Sequence, residues 1–118
     1  MDVTLKKYIE TKMPEFKKLV FPCFTTVIDK MSMTYTITPI ESGYIKKYDV
    51  EIKIYGTNYD EVRKSKYKLI EILESTDQKE AVSFNNNYFT AKLSGGGILF
   101  RDDLQIWEDS SIFIIKGK

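Results

Sequence analysis

With 118 residues, a formal charge of +1, 42% hydrophobic and 30% charged residues, the chain is sized for one domain over residues 1–118, with core enough to fold without a disulfide or a metal. Charges of both signs are interspersed and no basic face stands out, so specific nucleic-acid binding has no support in composition. Histidine is absent and Cys23 is the one cysteine, which excludes Ser–His and Cys–His nucleophile pairs, histidine-ligated zinc and an intrachain disulfide.

Met1 to Lys7 holds no continuous apolar stretch, so no secretory signal is expected. No segment approaches the roughly 18 apolar residues of a bilayer span. Synthesis in the cytosol is expected, with no membrane partner, and Cys23 reads as a small buried hydrophobe. From Val3 to Met13 the apolar residues Leu5, Tyr8, Ile9 and Met13 fall at helical spacing, and Pro14 should stop that helix. Phe16 to Pro22 is a connector or a short strand, and Pro22 bars it from a sheet centre. Phe24 to Asp29 and Thr34 to Ile40 carry the Thr, Val, Ile and Tyr content of strands, and Pro39 should end regular pairing. A turn is expected at Glu41-Ser42-Gly43. Tyr48 to Tyr55 alternates cleanly: Tyr48, Val50, Ile52 and Ile54 face inward, while Asp49, Glu51 and Lys53 face water, as in an antiparallel sheet with one wet face.

Gly56-Thr57-Asn58 breaks the strand. Asn58, with Glu61 three residues on, resembles a capping box for a helix from about Tyr59 to Glu74. That helix would bury Val62, Lys66, Leu69, Ile70 and Leu73, the lysine by its stem. Ala81 to Phe84 and Tyr88 to Leu93 read as a hairpin about three asparagines, which tolerate positive φ. Beyond Gly95-Gly96-Gly97 come short β-prone pieces at Ile98 to Phe100, Leu104 to Trp107 and Ser111 to Lys116. The pattern sums to an α+β fold: a mostly antiparallel sheet with two α-helices packed on it, in the order α-β-β-β-α-β-β-β.

Two features invite chemistry and fail to support it. Gly95-Gly96-Gly97 lacks the Lys and Ser/Thr of a phosphate loop and is followed by strand-forming residues rather than a helix. It reads as a bend or bulge between strands, or as a place where another subunit's backbone comes close. The pairs Asp102-Asp103 and Glu108-Asp109 are the acids that a glycosidase or magnesium site would need, but adjacent acids on a strand point to opposite faces. A solvated turn or rim is the reading favoured for both pairs. No enzyme activity and no cofactor are expected. Trp107 is either a sheet-face aromatic or an interface anchor, since tryptophan dominates interface energetics. Eight tyrosines and seven phenylalanines accompany it, and aromatics of that number serve cores and interfaces alike.

Three stretches carry a resemblance: Thr38-Pro39-Ile40-Glu41-Ser42-Gly43; Tyr48 to Asp60, leading into a helix; and Gly95 to Phe100 through Gln105-Ile106-Trp107-Glu108-Asp109-Ser110 to the last strand. Together with the first helix they resemble, over nearly the whole chain, the small minor capsid and tail-terminator (tail completion) proteins of tailed bacteriophages, especially those of Gram-positive prophages. The resemblance implies helices packed on a sheet and a structural role in the virion: closing the head-proximal end of the tail tube, ending its growth and joining it to the head. It implies as partners further copies of the chain (commonly a hexameric ring, with a monomer in solution compatible), the tail tube protein and the head–tail connector. No catalytic residues carry over. The candidate assembly interface is Pro39, Gly43 and Tyr44 on one loop, and Gly95, Gly96, Gly97, Phe100 and Trp107 on the glycine-to-tryptophan stretch. A head–tail connector or stopper is the nearest alternative. A small ligand- or peptide-binding module unrelated to phage is the alternative of a different class.

Overall fold

The computed structural model describes residues 2–22, 30–41, 46–73, 82–84 and 87–117. Their order is α1 (Asp2–Lys12), a 3-10 turn (Pro14–Phe16), β1 (Val20–Pro22), β2 (Ser32–Glu41), β3 (Lys46–Gly56), α2 (Tyr59–Leu73), β4 (Val82–Phe84), β5 (Asn87–Arg101) and β6 (Ile106–Gly117). This is the expected α-β-β-β-α-β-β-β order. The strands form one sheet, β1-β2-β3-β6-β5-β4, antiparallel at every pairing except β1 with β2.

Local sequence accounts for most element ends. Pro14 replaces a helical donor, so α1 gives way to the 3-10 turn. Asn58 accepts a hydrogen bond from the Glu61 N–H at 3.2 Å, the N-cap of α2. Pro22 closes β1, which lies at the sheet edge. Pro39 does not end β2, which runs on to Glu41 past an irregularity in register between Pro39 and Glu41. The Phe24 to Asp29 strand and the turn at Ser42-Gly43 lie outside the described residues, as do Cys23 and Tyr44.

The core is a single layer between the two helices and one sheet face. Leu5, Tyr8, Ile9 and Met13 of the first helical stretch are all buried, in one core cluster with Val62, Leu69 and Leu73 of α2. Met33 and Tyr35 of β2, Val50, Ile52 and Ile54 of β3, and Phe113 and Ile115 of β6 complete it. Opposed pairs such as Val50 with Phe113 share a face, as the antiparallel register requires. Burial of each such side chain contributes about 1.5–3 kcal/mol. Tyr8 also donates from its hydroxyl to the Ile72 carbonyl at 2.5 Å, joining α1 to the last turn of α2.

Three expectations are corrected. The fragments about the glycines are not separate strands: β5 is continuous through Gly95-Gly96-Gly97, with a register shift between Leu93 and Gly95, and β6 is continuous from Ile106. Hydrogen bonding to β6 on both sides of the irregularity holds the backbone extended where the glycines suggested a break. Secondly, the outward face of β3 is not simply wet: Asp49, Glu51 and Lys53 are only half-exposed, and Thr34 beside them is buried, because the flanking strands crowd that face. Thirdly, Glu108 and Asp109 are not a solvated rim. Both are buried in mid-strand, with β3 on one side and β5 on the other. The solvated turn lies earlier, at Asp102 to Gln105, where Asp102 and Asp103 are exposed as expected.

Candidate assembly interface

β5 and β6 are the two longest strands, and their hairpin presents apolar side chains to solvent. It turns tightly: the Leu104 N–H bonds the Arg101 carbonyl at 3.2 Å, Gln105 takes a left-handed φ of 57°, and its side-chain amide donates to the Asp102 carbonyl at 2.7 Å. Leu99, Phe100 and Leu104 are exposed by 50%, 41% and 40%, although all three are large hydrophobes. Leu99 and Phe100 are neighbours in a strand and so stand on opposite faces. Both sides of the hairpin end are therefore apolar.

On the helix-bearing face an aromatic row extends from the hairpin to α2. Phe100 meets Trp107 edge-on at 5.0 Å between centroids, and Trp107 meets Tyr59 edge-on at 4.9 Å. The Arg63 guanidinium lies 5.8 Å from the Tyr59 ring centre and 5.2 Å from that of Tyr67, and donates to the Tyr67 hydroxyl at 2.6 Å. Tyr59 and Tyr67 are themselves exposed. Edge-to-face rings and a stacked guanidinium are stable contacts that still leave one side of each ring available. Trp107 is thus neither purely core nor purely surface: it packs against the core margin and supports Phe100.

On the opposite face of the same strands polar groups accompany Leu99. Arg101 donates to Asp103 at 3.2 Å and to Glu108 at 3.4 Å, Lys53 lies 3.9 Å from Glu108, and Ser110 donates to Glu51 at 3.1 Å. The Arg101 hydrogen bond holds the Asp103 carboxyl below the usual carboxylate range. These contacts are partly solvated and contribute little to stability.

Beneath the aromatic row lies a buried ion pair. Lys66 of α2 donates to Asp109 of β6 at 3.1 Å, and the Asp109 side chain is 0% exposed. Burial holds the Asp109 carboxyl above the usual carboxylate range, against the opposing pull of Lys66. Its second oxygen and the Ser111 hydroxyl have no hydrogen-bond partner among the described residues. Lys66 was expected to cover apolar surface with its stem; its ammonium instead serves as a clip between helix and sheet. No sequence period signals this, because Asp109 and Ser111 are polar residues on the face that β6 otherwise buries with Phe113 and Ile115.

The candidate interface residues separate into two places. Pro39 is exposed on β2. Gly95, Gly96, Gly97 and Phe100 lie on β5, and Trp107 opposes Phe100 on β6. Strands β3 and β6 lie between β2 and β5, and the register sets Pro39 level with Ala91, so the two places are separated along the strands as well as by about 14 Å across the sheet. Gly43 and Tyr44 lie outside the described residues. Sequence reasoning missed Leu99, Leu104, Tyr59, Arg63 and Tyr67; the Tyr59, Arg63, Tyr67 spacing along one helix face was the available signal. Among the described residues no three carboxylates or cysteines gather as a metal group would need, and no helix is long and apolar enough to cross a membrane.

No family model matches the chain, and no curated protein matches its sequence. Among solved structures, it is similar to a chain from the virion of a native gene transfer agent particle. The TM-score is 0.66 at 6% identity, over 99% of this chain and 93% of that one. At that identity the likeness is one of fold, and it spans both chains almost end to end.

Proposed function

We propose that this protein is a structural part of a phage-like virion, and within that class a tail terminator: it caps the head-proximal end of the tail tube, stops its growth and joins it to the head. The observation that carries the reading is the near end-to-end likeness of fold to a chain of a gene transfer agent virion. A similarity that leaves almost no unmatched segment in either chain favours a shared architectural use over a chance shared motif.

The surface supports the same reading. Exposed Leu99, Phe100 and Leu104 on a long hairpin suit a part that is covered in its working assembly. Mixed charge with a net of +1 lets copies pack side by side without strong repulsion. The role is non-catalytic: the protein works in several copies, as a ring, against the tube protein on one side and the connector on the other, in the neck of the virion.

Electron microscopy of particles made without the protein tests this. Overlong or unjoined tails are the expected result. Finished tails beside leaking heads would replace the terminator role with that of a stopper. Normal particles would end the virion reading altogether.

A further inference from the structure

Phe100, Trp107, Tyr59, Arg63 and Tyr67 touch in sequence and make one continuous strip on the helix-bearing side of the hairpin. Its charge is Arg63. This residue stands one helical turn from each tyrosine, so both rings flank its guanidinium. Among the described residues its side chain donates to the Tyr67 hydroxyl alone, although a guanidinium carries five N–H donors. No described carboxylate forms an ion pair with it, even though Asp60 lies three residues before it on the same helix.

A planar guanidinium matches a carboxylate through two parallel hydrogen bonds. Two rings already hold this one in place, so a carboxylate that binds it need not order it first, and the cost of binding falls. Lys64, exposed beside Arg63, adds positive charge, while Lys68 is paired with Glu15 at 3.3 Å. Acids adjoin the strip at two places: Asp60 and Glu61 follow Tyr59, and Asp102 and Asp103 lie in the turn after Phe100, all four exposed. A phosphate backbone, negative along its whole length, would meet repulsion from both. A short peptide with one carboxylate between apolar side chains would not. The hairpin of a second copy does not offer that pattern, because Asp103, the acid beside exposed Leu104, is held by Arg101 at 3.2 Å.

We infer that the strip docks a short segment of a different protein, one that sets a carboxylate on Arg63 and apolar side chains against Tyr59, Trp107 and Phe100. The rings supply contact area, and the guanidinium fixes which way the segment lies. The inference rests on the reading that the protein works against other virion parts, which supplies the partner. The preference for an acidic and apolar segment belongs to the chain itself and can be measured without a particle.

Peptide selection tests it, and Trp107, the only tryptophan, reports on the strip by its emission. Selection from a displayed library of short random peptides on the immobilised chain should enrich sequences with Asp or Glu beside apolar residues. An enriched peptide, made synthetically, should shift the Trp107 emission and bind Arg63→Gln about tenfold more weakly, as the loss of one charge-assisted pair implies. Replacing the peptide's acid by its amide should weaken binding to the parent chain in the same way. Arg63→Lys keeps the charge without the fork and should recover only part of the affinity. Unchanged melting of both variants makes the comparison one of binding. Failure to enrich any peptide over the Arg63→Gln chain would overturn the inference, as would enrichment of basic or wholly apolar sequences. A salt-sensitive shift of Trp107 emission with single-stranded oligothymidylate would overturn it in favour of nucleic acid. A shift on concentrating the chain alone would overturn it in favour of a second copy. Normal particles made without the protein would end the virion reading without touching the peptide result.

Discussion

Phe100 rests edge-on against Trp107, 5.0 Å between ring centres, yet remains 41% exposed. Trp107 supports one side of the Phe100 ring, and the rest of the ring stays open to solvent. Phe100→Ala should therefore cost the isolated fold only about 1 kcal/mol, the worth of an edge-to-face pair, while impairing incorporation into particles. Thermal melting together with immunoblots of purified virions would check this. Normal incorporation would take Phe100 out of the interface.

Trp107→Ala removes a ring that touches both Tyr59 and Phe100. A loss of about 3 kcal/mol is expected, at the lower end for a large aromatic because this one is only partly buried. The loss should appear as a lower urea midpoint with an unchanged slope.

Glycine substitutions along β5 should differ sharply. Gly96→Ala forces a Cβ into the Ser110 carbonyl at a φ that side chains avoid, and should destabilise by at least about 2 kcal/mol. Gly95→Ala enters open space and should leave stability unchanged or raise it by about 0.5–1 kcal/mol. Equal effects at the two sites in chemical denaturation would refute the strand geometry described for β5.

The Lys66–Asp109 pair gives a pH dependence of known sign. Burial raises the folded carboxyl above its unfolded value, so the folded chain binds that proton more tightly than the unfolded one. The resulting stability is full below the unfolded value of about 4 and is lost as pH rises through the folded value. Asp109→Asn should remove this component from the stability profile. Lys66→Met strands the carboxylate and should cost about 3–5 kcal/mol at neutral pH, less in acid, while Lys66→Met combined with Asp109→Leu should recover most of the loss. Urea titrations at several pH values, arranged as a double-mutant cycle, measure all three.

Much of this architecture is legible in the residues, and the reasons are local. Leu5, Tyr8, Ile9 and Met13 announce α1 by spacing alone, and all four are buried. Asn58 announces the start of α2 and makes the cap hydrogen bond. The glycine stretch misleads because its extended shape comes from bonding to β6, a partner no window around residue 96 contains. Glu108 and Asp109 mislead for the same reason: their burial depends on β3, some fifty residues earlier in the chain. Gln105 conceals the turn that would have corrected both, since a left-handed φ is ordinarily marked by glycine or asparagine. Of the candidate interface, Phe100 and Trp107 were visible as residue types, whereas the row joining them to Tyr59 and Arg63 needs the register of β5 on β6.

The strand order β1-β2-β3-β6-β5-β4 reads the same inward from either end, and the β3–β6 pairing is the one seam between a first-half unit and a second-half unit. Each unit gathers from near neighbours in the chain, but the seam must close a long intervening loop before it gains any contact. Closure of that seam should therefore be the slow event in reaching the native state, and amides of β3 and β6 should be the last to exchange with deuterium, long after those at the hairpin end.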